Sequence, residues 1–184
     1  MKQIHLPEEV INKLIRWAEQ RDSIRAMLLT STRAVPNATV DDLSDYDVIL
    51  IVDNIHPYYE DRSWLEDFGE VLVEYWDPLY RDPDHSIEMF ANVIQYADGL
   101  KIDFTLWPVE LFRKVTQAST LQPELDAGYR ILLDKDHLTE AMQQPTYKAY
   151  IPTPPTFAVY QKTIEDFFSD VPYVAKCLLR NELF

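Results

Sequence analysis

A chain of 184 residues, 47% hydrophobic and 12% aromatic, carries enough apolar side chain to close one core of ordinary size, with at most a fragment of a second domain. No apolar run nears the ~20 residues of a membrane span and no secretory signal opens the chain, so a soluble cytoplasmic protein without a membrane partner is expected; the single cysteine, Cys177, excludes an intrachain disulfide and a thiol-rich zinc site. A formal net charge of −14 with no basic stripe argues against a nucleic-acid partner and favours a cationic small molecule or a metal-bound anion.

The first element is a helix starting at Pro7, where Val10, Ile11, Leu14, Ile15 and Ala18 recur at helical spacing. Ile24 to Leu29 is a short apolar run that stops at Thr30, Ser31 and Thr32, the pattern of a buried strand ending in a small-residue turn. Val48 to Val52 is a second buried strand. A short helix is expected over Asp61 to Phe68 and a third strand over Val71 to Tyr75. The segment from Ser86 gives a strand or short helix leading into a strand, then the turn dipeptide Asp98-Gly99, then a strand from Leu100 to Trp107 that pairs antiparallel with a neighbour. Pro108 opens a helix through about Val115, and Tyr129 to Leu133 is a late strand. Four prolines between Gln143 and Thr156 make an extended linker, after which Phe157–Phe168 and Val171–Leu183 form two helices. The expected division is therefore 1–144, a linker at 145–156, and a helical segment at 157–184.

Chemistry concentrates in the acids. Residues two apart on a strand project to one side, so Asp45 and Asp47 in "SDYD" would enter the second strand together. Adjacent carboxylates repel unless a positive charge lies between them, and magnesium, which takes oxygen ligands and bridges carboxylates to phosphates, suits that place. Asp103 sits within "LKIDFTLW", a strand otherwise built for burial, where a carboxylate is costly without a partner. Ser31, Thr32 and Arg33 supply hydroxyls, backbone N–H groups and a positive charge to a phosphate. No P-loop or dinucleotide glycine motif is present. The histidines His5, His56, His85 and His137 lack metal spacing, and Trp64, Trp76 and Trp107 are read as core aromatics.

The order of these parts resembles the nucleotidyltransferase superfamily, and "STR" at Ser31–Arg33, "LSDYDVILIV" from Leu43, "YADGLKIDFTLWP" from Tyr96 and "DVPYVAKCLLRNEL" from Asp170 are similar to its aminoglycoside (streptomycin) 6-adenylyltransferases. The resemblance implies an α/β (α+β) fold with a mixed sheet and flanking helices, followed by the start of a larger helical substrate-binding domain. It implies Asp45, Asp47 and Asp103 as magnesium ligands and catalytic carboxylates, with Ser31, Thr32 and Arg33 as the ATP triphosphate turn. Lys176 and Glu182 would be acceptor-binding residues. The family's turn usually reads Gly-Ser-Arg, and Ser31 stands at the glycine, so a positive φ or close backbone approach there would disfavour this side chain.

The activity implied is magnesium-dependent transfer of AMP from ATP to a hydroxyl of a cationic, aminoglycoside-like acceptor, a reaction of antibiotic resistance. Two other readings fit the same parts: a protein-modifying nucleotidyltransferase of toxin and antitoxin type, and a nucleotide-binding regulatory module without turnover.

Overall fold

The computed structural model describes residues 7–41, 43–151 and 153–182. His5, Pro152 of the linker and the expected helix end at Leu183 lie outside the described residues. The chain divides into two compact units, residues 1–150 and 151–184.

The first unit is built on a seven-stranded sheet of β1 (Ile24–Thr30), β2 (Tyr46–Val52), β3 (Val71–Trp76), β4 (Tyr80–Arg81), β5 (Glu88–Tyr96), β6 (Lys101–Pro108) and β7 (Tyr129–Asp134). The strand order is β3-β5-β6-β2-β1-β7, with β4 also paired to β5. β6 pairs antiparallel with β5, as expected for a hairpin through Asp98-Gly99, and parallel with β2, which makes the sheet mixed. Gly99 carries the turn at φ 95, a conformation that costs glycine little, and its N–H donates to Tyr96 O at 3.0 Å.

The apolar runs of β1 and β2 are nearly continuous because both faces of the sheet are covered, whereas β6 alternates apolar residues with Lys101, Asp103 and Thr105. On one face Met27, Leu29, Val48, Leu50, Ile102 and Phe104 pack with α1 (Pro7–Glu19), α2 (His56–Glu60) and a 3₁₀ turn at Ser63–Phe68. α1 contributes Val10, Ile11, Leu14 and Ala18 as its spacing predicts, and Trp17 completes the stripe while Ile15 is only partly buried. On the other face Ala26, Leu28, Ile49, Ile51 and Trp107 pack with Leu111, Phe112 and Val115 of α3 (Val109–Gln117) and Leu125 of α4 (Pro123–Asp126). Alternation within each strand thus sorts side chains between two cores. Leu50, fully buried on the central strand β2, is expected to cost about 3 kcal/mol of unfolding free energy when replaced by alanine, read by urea denaturation.

The segment expected as a strand or short helix is the nine-residue strand β5. The stretch expected as a helix from Asp61 is the 3₁₀ turn, entered through the Asp61 side chain, which accepts from Ser63 N–H at 2.9 Å. In the proline-rich stretch, Asp126 holds Thr146 through its N–H at 2.8 Å and hydroxyl at 2.7 Å, so this part of the chain is stapled to α4.

The second unit holds α5 (Phe157–Arg180), one helix where two were expected. Pro172 lies inside it; the ring removes one N–H from the ladder, and the helix continues through the gap. Thr156 caps its start by accepting from Val159 N–H at 3.3 Å, and Asn181 ends it in the left-handed conformation, φ 54. No helix among the described residues is long and apolar enough to cross a membrane.

Candidate active site

Three neighbouring strands bring the site together by register. Thr30 at the end of β1 stands opposite Asp47 on β2, and Asp47 stands beside Asp103 on the parallel strand β6. Asp47 and Asp103 share the sheet face of Ile49, Ile51 and Trp107, so two carboxylates lie side by side across adjacent strands. Asp45 precedes β2, one residue outside the strand rather than within it.

Two of the three carboxylates, Asp45 and Asp103, meet through a residue that is not among the expected site residues. Lys101, the first residue of β6, donates its Nζ to Asp45 Oδ2 and, at 2.9 Å, to Asp103 Oδ2. It stands two residues before Asp103, so the same alternation argument that pairs Asp45 with Asp47 would have found it.

Burial is the main cause that raises the Asp47 pKa, the Asp103 charge adds to it, and a hydrogen bond from Ser31 works the other way. Asp103 is likewise raised by burial, against the opposing pull of Lys101. Burial disfavours the Lys101 ammonium, yet its bonds to Asp45 and Asp103 outweigh this and raise its pKa. Both partners of the Lys101–Asp103 bridge therefore shift upward. The carboxylate loses more by leaving water, and faces Asp45 besides, while the ammonium gains from two anions.

The two strand carboxylates open onto a cleft of ≈ 510 Å³. Its floor includes Thr30, Ser31, Asp47, Asp103, Thr105 and Trp107. Further lining comes from Tyr80, Asp82 and Asp84 around β4, from Gln122 and Glu124 at α4, and from Tyr150. Asp82, 5% exposed, accepts from His85 N–H and His85 Nδ1, each at 2.7 Å, and from Gln122 Nε2 at 3.3 Å, which fixes the 82–87 turn beside the cleft. These residues carry no short motif, because chain folding rather than spacing gathers them. Trp107 is both a core aromatic and part of the lining.

The turn after β1 is a 3₁₀ helix, Ser31–Ala34. Ser31 sits at φ 59, the left-handed region that glycine adopts freely and other residues rarely. Its hydroxyl reaches the Asp47 carboxylate. Gly128, at φ 141, backs the turn so closely that a Cβ there would meet Val35 Cγ2 at 3.2 Å and Ala34 O at 3.4 Å. Thr32 is exposed and is not part of the cleft lining.

Arg33 faces elsewhere. Its Nε donates to Asp45 O at 2.9 Å, its guanidinium also donates to Ser44 O at 2.7 Å, and its plane lies 3.9 Å from the Tyr46 ring centroid. In this arrangement it fastens the loop carrying Asp45 to the turn. Arg33→Ala is expected to lower the unfolding free energy by about 2 kcal/mol, since carbonyls lose charged donors and the ring loses its stacked partner. Arg33→Lys should recover less than half of that loss, because an ammonium cannot reproduce the planar fork; urea denaturation of both variants checks this.

Lys176 and Glu182 belong to the second unit, where Lys176 lies 5.2 Å from the Tyr173 ring centroid and Glu182 lies 4.0 Å from Arg180.

Among the described residues no three His, Cys, Asp or Glu side chains form a ready metal cage. The Lys101 ammonium pairs with an oxygen of Asp45 and of Asp103. The donor set nevertheless suits a hard cation: all its donors are carboxylate oxygens, and Asp103 Oδ1 is buried without a hydrogen-bond partner.

Comparison with known proteins decides the family. The sequence model of the family described as streptomycin adenylyltransferase matches residues 4–184. The chain belongs to this family. It is 27% identical over 177 residues to an aminoglycoside 6-adenylyltransferase of Bacillus subtilis (strain 168), covering 96% of this chain and 60% of that protein. It is 28% identical over 181 residues to the Campylobacter jejuni protein of the same name, covering 96% of this chain and 59% of that one. The crystal structure of an aminoglycoside 6-adenyltransferase from Bacillus subtilis shares the fold, with a TM-score of 0.50 at 21% identity over 97% of this chain and 59% of that chain. This streptomycin adenylyltransferase family member thus spans about three fifths of the length of the relatives it matches.

Proposed function

We propose that this chain carries the nucleotide-binding and catalytic part of an adenylyltransferase that moves AMP from ATP to a hydroxyl of a cationic, aminoglycoside-like acceptor. The observation that carries the reading is the side-by-side placement of Asp47 and Asp103 on parallel strands at the floor of a cleft, with one Asp103 oxygen buried and unpartnered. The family supports the reaction class, and the names of the relatives support the acceptor class.

Asp45, Asp47 and Asp103 would hold magnesium, which when bound neutralises phosphate charge and aligns the triphosphate. The N–H groups and hydroxyl of the Ser31 turn face the triphosphate, and Ser31 also fixes the Asp47 carboxylate. Arg33 acts through the loop it fastens. The acceptor oxygen attacks the α-phosphorus in line, the bond from that phosphorus to the bridging oxygen breaks, and pyrophosphate leaves. Asp103, on the cleft floor within reach of an acceptor hydroxyl, would also accept its proton. Residues 1–144 serve as the nucleotidyltransferase domain, with 145–156 as linker and 157–184 as the beginning of a helical acceptor-binding region to which Lys176 and Glu182 contribute. The acidic cleft lining, with Asp82, Asp84 and Glu124, gives a polycation a favourable field.

Pyrophosphate release from ATP and magnesium, measured across a panel of cationic acceptors that includes streptomycin, tests this. Release that depends on an acceptor supports the reading. A chain that binds ATP with magnesium yet releases nothing with any acceptor points instead to a nucleotide-binding module without turnover.

A further inference from the structure

We propose that Lys101 is an internal counter-cation that holds Asp45 and Asp103 together and competes with a divalent cation for the same carboxylate oxygens. The inference rests on the metal-binding reading of these acids. Asp47 and Asp103 on neighbouring strands and Asp45 just before β2 repel one another, and Lys101 Nζ bridges two of them, Asp45 through Oδ2 and Asp103 through Oδ2 at 2.9 Å. Hard cations bind carboxylate oxygens such as these, so ammonium and metal exclude each other at Asp45 Oδ2 and Asp103 Oδ2. The remaining Asp103 oxygen is buried and unpartnered, which leaves the carboxylate with unused acceptor capacity beside the bridge.

The lysine can yield. Its side chain is 28% exposed, and a flexible four-carbon stem can swing the ammonium into water without burying charge. Binding of a divalent cation to this chain alone is therefore weakened by the cost of breaking two ion pairs. Lys101 is in this sense a positioning residue, acting through the carboxylates it holds.

The test is direct titration of the nucleotide-free chain with Mn²⁺, following free Mn²⁺ by electron paramagnetic resonance. Lys101→Met is expected to bind Mn²⁺ about tenfold more tightly than the unsubstituted chain, because a like charge at the site is gone. Lys101→Arg, which keeps the charge, should bind as the unsubstituted chain does. A second measurement needs no substitution and decides the matter if Lys101→Met fails to fold: acylation of lysine amines read by mass spectrometry. Lys101 should be modified several-fold faster when Mn²⁺ is added, while Lys135, which donates to Ala18 O, Glu19 O and Arg21 O, should not change. Mn²⁺ binding that is equal or weaker in folded Lys101→Met, or Lys101 acylation unmoved by Mn²⁺ that binds, overturns the competition and leaves the metal reading intact. No Mn²⁺ binding by any of the three chains overturns both.

Discussion

Asp47→Asn is expected to lower turnover by roughly 10³-fold while making the protein more stable at neutral pH, a pairing of effects that few other substitutions here would give. The loss follows from position. Asp47 lies between Thr30 and Asp103 in the sheet register, at the cleft floor, and an amide supplies neither the charge nor the oxygen pair that a magnesium–triphosphate requires. The stability gain follows from burial and from repulsion by Asp103, both of which raise the Asp47 pKa in the folded protein above its unfolded value. A carboxylate raised in this way costs stability when it is ionised in both states, at pH above the folded value. The cost fades as pH falls from the folded value toward the ordinary Asp range, where both states become neutral. The asparagine variant should melt a few degrees above the unsubstituted protein near pH 7, with the gap closing through the acidic range. The Asn oxygen can still accept the Ser31 hydroxyl, so the turn keeps its contact. Thermal melts over a pH series together with single-turnover kinetics check both halves. A variant that lost stability at neutral pH would contradict the account of Asp47 as a buried, repelled carboxylate.

Ser31→Val should be the most damaging change in the turn, and Ser31→Gly the mildest. At φ 59 a β-branched side chain is strained, and valine also deletes the hydroxyl that reaches Asp47. The expected cost is about 2 kcal/mol of unfolding free energy and at least roughly tenfold in affinity for ATP with magnesium. Glycine adopts this backbone freely, so relief of strain offsets the lost hydrogen bond, and stability should stay within about 1 kcal/mol of the unsubstituted chain. Urea denaturation and calorimetric ATP titration of the two variants give the comparison. Equal tolerance of valine and glycine would show that neither backbone conformation nor hydroxyl governs the turn.

The reading of Ser31 shows how the sequence informs the site. A small-residue turn after a buried strand is visible in "LLTSTR", and the resemblance puts a glycine at the position of Ser31, which raised positive φ as a condition; Ser31 has φ 59. The strands β1 and β2 were legible because burial on both faces leaves near-continuous apolar runs, and β6 because its apolar residues alternate after the Asp98-Gly99 turn. The shortest elements were not. β4 has two residues and α4 four, too few for any period to appear. The break expected between Phe168 and Val171 is absent, and α5 also runs on through Pro172, since a long helix tolerates one missing N–H.

Arg33 was the hardest to read. Its charge beside the turn suggests a phosphate, whereas its place is decided by the path of the loop through Asp41, Ser44 and Asp45, whose carbonyls it meets. Lys101 was open to the same argument as the acids but lay outside it, because the search for metal ligands looks for oxygens rather than the cation that balances them.

The central claim is that this site transfers the α-phosphoryl portion of ATP. Incubating the chain with magnesium, streptomycin and ATP labelled either at the α-phosphorus or at the γ-phosphorus tests it most directly. Label from the α position should appear in the acceptor, with γ label recovered in pyrophosphate, and Asp47→Asn should slow both by roughly 10³-fold. Appearance of γ label in the acceptor, or α-label transfer by Asp47→Asn at the unsubstituted rate, would contradict it.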